Sequence, residues 1–254
     1  SAARTVRPQD LTPFVHQADP MARSLAALHE FGDRFQRSLD LACTGEVHVG
    51  KVAEVIGYNA SRPRQMNWVM GMDVNADGTV EPWEIGVGMQ KNIEHQTERR
   101  MQGDVDGDHA LSQAEYALFI PDPGGELNDA GVSTRAAGRF ATLDTNRDDR
   151  VQPVEIINEF ATSYQSRYWA RLVLFHLARA DRDSDGRIDA AELSAAGASG
   201  AQSWLQEISG KTDAEDGIAL AALVRPMMTA GTTPEDRARL EAPIASLMTP
   251  ACRS

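Results

Sequence analysis

Four twelve-residue stretches of this chain place oxygen-bearing residues at the same offsets. In 73–84 (DVNADGTVEPWE), Asp73, Asn75 and Asp77 hold positions 1, 3 and 5, Thr79 offers its carbonyl at position 7, and Glu81 and Glu84 hold positions 9 and 12. In 104–115 (DVDGDHALSQAE) the same places fall to Asp104, Asp106, Asp108, Ala110 through its carbonyl, Ser112 and Glu115. The stretch 144–155 (DTNRDDRVQPVE) supplies Asp144, Asn146, Asp148, the Arg150 carbonyl, Gln152 and Glu155. The last, 181–192 (DRDSDGRIDAAE), supplies Asp181, Asp183, Asp185, the Arg187 carbonyl, Asp189 and Glu192. Oxygens at alternate positions, closed by a bidentate Glu, build the flexible six- to eight-coordinate cage that a hard cation such as Ca²⁺ needs. Acidic stretches are usually solvated surface, but chance does not repeat this spacing four times.

Two further positions sharpen the pattern. Position 6 turns the chain sharply and favours Gly, which Gly78 and Gly186 provide. His109 and Asp149 stand there in the other two stretches and must adopt a left-handed backbone, a cost of about 1 kcal/mol for a residue with a Cβ. Position 8 is apolar in all four, as Val80, Leu111, Val151 and Ile188, the residue that packs where two such loops meet in a short antiparallel contact. By number of ligand carboxylates, the loop at 144–155 is expected to bind most weakly and the one at 181–192 most tightly.

The charge balance points the same way. Net charge is −12, while the ligand positions alone carry 16 carboxylates, so the acidity is mostly binding site. An acidic chain without Lys/Arg clusters is a poor nucleic-acid binder. No apolar run reaches the length of a membrane-spanning helix. No GxSxG, GxxxxGK[ST] or HExxH motif is present, so no enzyme is expected; His29–Glu30, and His95 with Glu98, are isolated. Cys43 and Cys252 lie almost the whole chain apart and are read as two unpaired thiols; a disulfide between them would require an oxidising compartment. A cytoplasmic location is favoured, with export as the alternative if Ser1 follows a cleaved signal.

The elements that must position these loops are helices. Phe140 and Leu143 precede Asp144, and Val173 and Leu177 precede Asp181; Ile85 and Met89, Tyr116 and Phe119, and Ile156 and Phe160 follow closing Glu residues at helical spacing. Residues 89–102 and 156–180 hold no Gly or Pro and read as continuous helices between consecutive loops. The link 116–143 is broken by Pro121, Pro123, Gly124, Gly125 and Gly131, so the second and third loops are expected to fold back on each other. The outer two then need partners. Residues 40–51 (DLACTGEVHVGK) keep Asp40, Gly45 and apolar Val47 at positions 1, 6 and 8 but end in Lys51; Gly57 and Pro63 break the link that follows. Residues 209–222 (SGKTDAEDGIALAA) read as a stretched, degraded loop after Trp204, Leu205 and Ile208. Past it, a helix is expected from Thr233 with Pro234 in its first turn.

The four loops resemble those of the EF-hand superfamily. Over 66–197 the chain most resembles the sarcoplasmic calcium-binding proteins and the bacterial proteins of the calerythrin type, on its intact loops beside degenerate ones and on Trp68, Trp83, Phe140 and Phe160 in the flanking helices. It departs from them in length and in loop starts separated by 31, 40 and 37 residues. Abundant Ala, with 22 Arg against 3 Lys, is associated with GC-rich bacterial sources. The resemblance implies an all-α fold of helix-loop-helix hands with short antiparallel β contacts between paired loops; the linker breakers and the two degraded loops give six hands in three pairs, the outermost two unable to bind metal. The corresponding segments are 1–92, 93–168 and 169–254.

The expectation is a monomeric calcium-binding protein with up to four Ca²⁺, acting as a buffer or calcium-stabilised signal modulator. A sensor exposing a groove around Met66, Met70, Met72 and Met89 to a target protein is the alternative. A lanthanide role is disfavoured, because position 2 holds Val74, Val105, Thr145 and Arg182 rather than Pro.

Overall fold

The computed structural model describes residues 12–56, 71–120, 122, 124–210 and 217–250, with backbone alone for 12–20. The Gly57 and Pro63 break, Met66, Trp68, Met70, Pro121, Pro123, residues 211–216 of the degraded loop and Cys252 lie outside the described residues. The chain is predominantly helical, with two two-stranded antiparallel contacts. Helix α1 (Thr12–Leu39) leads into the 40–51 loop, strand β1 (Val47–His48) and α2 (Val49–Ile56). Strand β2 (Thr79–Val80) precedes α3 (Pro82–Met101), followed by α4 (Gln113–Ala117), α5 (Thr134–Leu143) and α6 (Pro153–Ala180). After β3 (Arg187–Ile188) come α7 (Ala190–Ala195), α8 (Ala201–Ser209), β4 (Ile218–Ala219), α9 (Leu220–Ala230), α10 (Pro234–Glu241), a 3₁₀ turn (Ala242–Ile244) and α11 (Ala245–Met248).

Helices α3 and α6 run unbroken from one acidic loop to the next; residues 89–101 and 156–180, which hold no Gly or Pro, lie within them, and α3 also stays helical through Gly86 and Gly88. Between α4 and α5 the chain leaves the helix, and Ser133 caps the start of α5 by accepting the Ala136 amide at 3.2 Å. Thr233 caps α10, with Pro234 in its first turn.

The contacts divide the chain into two compact units. One gathers Gln90–Ala161 with the described residues up to Ala27. Its core is Leu111, Tyr116, Phe140, Leu143, Val151 and Ile156, with Met101, Ile120 and Phe160 packed against them. Tyr116 meets Phe140 edge-on at 6.0 Å, and the Arg100 guanidinium lies 4.4 Å from the Phe160 ring centre. Leu111 and Val151 form an isolated antiparallel bridge.

The other unit contains the described residues of 28–89 and 162–254. Here β1 pairs with β2 (Val47 opposite Val80) and β3 with β4 (Ile188 opposite Ile218). Each of these four residues is buried. A Cβ on Gly32 of α1 would sit 2.6 Å from the Gly86 amide nitrogen of α3, so these helices cross where neither carries a side chain. Gln36, fully buried on α1, donates to the carbonyls of Gly45 and Val80, tying the 40–51 loop to β2. Trp204 donates its indole N–H to the Leu240 carbonyl at 2.8 Å. Met72 and Met89 are fully buried core residues.

The cysteine expectation is corrected: Cys43 is disulfide-bonded, and no free cysteine occurs among the described residues. Distance along the chain does not limit such a bond. Cys43 lies on an exposed loop with left-handed φ of 58°, where a sulfur is within reach of the molecule's surface.

Candidate metal-binding loops

The stretches 104–115, 144–155 and 181–192 are tight loops between two helices, 73–84 leads into α3, and all four repeat one set of backbone hydrogen bonds. The position-1 Asp accepts the position-6 amide: Gly78 to Asp73 at 2.9 Å, His109 to Asp104 at 2.9 Å, Asp149 to Asp144 at 3.0 Å and Gly186 to Asp181 at 3.0 Å. The closing Glu accepts the position-2 amide through Oε1, at 2.8 Å in every case: Val74 to Glu84, Val105 to Glu115, Thr145 to Glu155 and Arg182 to Glu192. Its Oε2 accepts the position-9 amide of Glu81, Ser112, Gln152 or Asp189. The closing Glu stands at the start of the exiting helix, where Ser112 and Asp189 form reciprocal capping boxes with Glu115 and Glu192. The loop amides thus fix the carboxylates while leaving lone pairs for a cation.

The middle positions are held in the same way. Asp77 accepts the Thr79 amide at 2.8 Å, Asp108 that of Ala110 at 3.0 Å, Asp148 that of Arg150 at 2.9 Å and Asp185 that of Arg187 at 2.7 Å. Asn75 and Asn146 accept the amides of Asp77 and Asp148, and each donates its side-chain amide to that same Asp. Gln152 donates to Asp148 at 3.1 Å, and Glu81 accepts the indole N–H of Trp83 at 2.8 Å.

Two loops bring three carboxylates together. Asp104, Asp106 and Asp108 place one oxygen each within 4.8 Å of the others, and Asp181, Asp183 and Asp185 do the same. In 73–84 and 144–155 the middle member of the corresponding triad is Asn, so two carboxylates and an amide oxygen take its place. The position-7 residues Thr79, Ala110, Arg150 and Arg187 stand at or beside the antiparallel contacts, where the backbone is extended.

The electrostatics differ from loop to loop. The Ser112 hydroxyl, then the amides of Ser112 and Val105, hold the Glu115 carboxyl down at about 2. The Thr79 hydroxyl and amide lower that of Asp77. Asp183 moves the other way: the Asp185 amide favours its charged form, but partial desolvation and the charges of Asp185 and Glu192 together raise it. Asp181 Oδ1 in the same loop is buried without a hydrogen-bond partner. Crowded like charges and an orphaned carboxylate oxygen are both relieved by a cation. The donor set is all oxygen, which fits a hard divalent ion better than the softer transition metals.

The 40–51 loop has the same backbone without the ligands. Asp40 accepts the Gly45 amide at 2.7 Å and the Thr44 amide at 3.0 Å. At position 12, Lys51 pairs instead with Glu54 at 2.9 Å and lies 4.7 Å from the Phe175 ring centre.

Three features escaped the sequence reading. Position 4 is left-handed in all five loops, at Cys43, Ala76, Gly107, Arg147 and Ser184, with φ between 58° and 74°. No residue type marks it. The Gln36 donors to two loop carbonyls were also missed, and a helical Gln carries no signal of such a role. The third is Arg150, whose guanidinium Nη1 lies 2.6 Å from Asp108 Oδ2 and 4.0 Å from Asp106 Oδ2. Its visible signal was a basic residue next to the apolar position 8. No protein-family model matches the chain, and no curated protein is significantly similar to it.

Proposed function

We propose that this chain is a calcium-binding protein of EF-hand type, with competent loops at 73–84, 104–115, 144–155 and 181–192. On this reading the hands pair as 40–51 with 73–84, 104–115 with 144–155, and 181–192 with the degraded loop of 209–222, whose members meet through Val47 and Val80, Leu111 and Val151, and Ile188 and Ile218. The observation that carries the reading is the fourfold repeat of a position-12 Glu fixed by the position-2 amide at 2.8 Å, opposite a position-1 Asp fixed by the position-6 amide. The role is binding rather than catalysis.

Within that reading, a calcium-stabilised protein or buffer is favoured over a sensor. A sensor opens a Met-lined groove on binding, whereas here the degenerate 40–51 loop already packs against 73–84 through Val47 and Val80, and long unbroken helices link the loops. The disulfide at Cys43 supports an exported setting over a cytoplasmic one, because cytosolic thiols are kept reduced. Thermal unfolding with and without Ca²⁺ tests the proposal. Binding to the folded state alone stabilises by about 2.7 kcal/mol per site at a hundredfold excess over Kd, so a large rise in Tm is expected. An unchanged Tm in millimolar Ca²⁺ contradicts it.

A further inference from the structure

We propose that the guanidinium of Arg150 is a tethered competitor for the cation of the 104–115 loop, holding that loop's affinity below what its acids would give. The inference rests on the calcium reading above and adds a regulator to one of its sites. Arg150 belongs to the other loop of the pair, at position 7 of 144–155. Its Nη1 reaches Asp108 Oδ2 at 2.6 Å and lies 4.0 Å from Asp106 Oδ2. These two carboxylates converge with Asp104 in the triad. Nη1 is shielded from solvent although the side chain as a whole is 40% exposed, and its contact with Asp108 is an ion pair outside hydrogen-bond geometry.

The placement is built by the fold. Leu111 and Val151 exchange two backbone hydrogen bonds of 2.9 Å, which fixes position 8 of each loop beside the other. Position 7 of 144–155 is thereby carried to the edge of the neighbouring triad. An arginine there has the length to set its guanidinium on the carboxylates, where it is always charged. A cation entering 104–115 must displace Nη1 from Asp108 or share the triad with a positive charge. The same residue serves its own loop through its backbone carbonyl, so one residue touches both sites of the pair. At the corresponding position of 181–192, Arg187 sends Nη2 to the Gly217 carbonyl, a neutral acceptor.

The test is calorimetric Ca²⁺ titration of the full chain as wild type, Arg150→Gln and Arg150→Met, the latter keeping the aliphatic stem. Both variants should retain the wild-type stoichiometry and tighten one binding step about three- to tenfold, the range between an exposed ion pair and a nearby charge repulsion in high dielectric. Adding Glu115→Gln should abolish that gain, and Arg135→Gln, which removes a charge outside the loops, should stay within about twofold of wild type. Steps that are unchanged or weakened in both Arg150 variants overturn the inference while leaving the calcium reading intact. A wild-type chain that takes up no ion overturns both.

Discussion

Leu111 and Val151 face each other across the contact of the 104–115 and 144–155 loops, each donating its amide to the other's carbonyl at 2.9 Å. Both side chains are fully buried and stand in the core of their unit. One pair of residues therefore joins the geometry of two acidic loops to the stability of the helices around them.

Leu111→Ala should destabilise this unit by about 2–5 kcal/mol, the usual cost of emptying a buried Leu site. It should also weaken Ca²⁺ binding in both adjoining loops, because each loop's position 7 is held beside that contact. Urea unfolding followed by circular dichroism measures the first effect, and calcium titration the second. A loss of affinity confined to one loop would show that the bridge does not couple them.

The closing glutamates rank the sites. On the calcium reading, Glu192→Gln should cost more total affinity than Glu155→Gln, since the 181–192 loop carries five carboxylates at the proposed ligand positions and the 144–155 loop three. Equal losses by titration would contradict that ranking.

Asp40 separates a loop's fold from its chemistry. Asp40→Ala removes the acceptor for the Thr44 and Gly45 amides and should cost about 0.5–2 kcal/mol, as the loss of a capping side chain does. Calcium stoichiometry should stay that of wild type, because Lys51 stands where a closing Glu is needed. A lost ion in the titration would make 40–51 a working site.

What the sequence made legible is local: the spacing of carboxylates that the loop amides hold, the buried apolar position 8, and the helical runs 89–101 and 156–180 within α3 and α6. Each of these is written within a few residues. Cys43 was misread because a disulfide depends on where two distant segments end up, not on spacing. Arg150 was read only for its carbonyl, since the target of a long, flexible side chain is decided by a neighbour 42 residues away in the chain, Asp108. The left-handed position 4 accepts Cys, Ala, Gly, Arg and Ser alike, so no residue preference announces it.

His176 sets an acid limit on the second unit. It is buried, with Nε2 2.9 Å from Ser38 Oγ and Nδ1 3.3 Å from Arg179 Nη1. Arg179 can only donate, so Nδ1 accepts and Nε2–H donates to Ser38, whose hydroxyl passes to the Met248 carbonyl at 2.6 Å. Burial first, then the Arg179 charge, pushes His176 down to about 4 from 6.5. Between those values the unfolded chain binds a proton that the folded one refuses, so stability should fall as pH drops from about 6.5 towards 4, by about 2–3 kcal/mol in all. Unfolding at a series of pH values in EDTA measures this slope, and His176→Gln should flatten it. A wild-type curve flat over that window would contradict the assignment.

The most direct test of the central claim is calorimetric titration of the purified wild-type chain with Ca²⁺, with ANS fluorescence followed in parallel. About four ions should bind, with little ANS uptake, as fits the packing of 40–51 against 73–84 through Val47 and Val80. No bound ion, or ions bound unchanged after all four closing glutamates are replaced by Gln, would contradict the account.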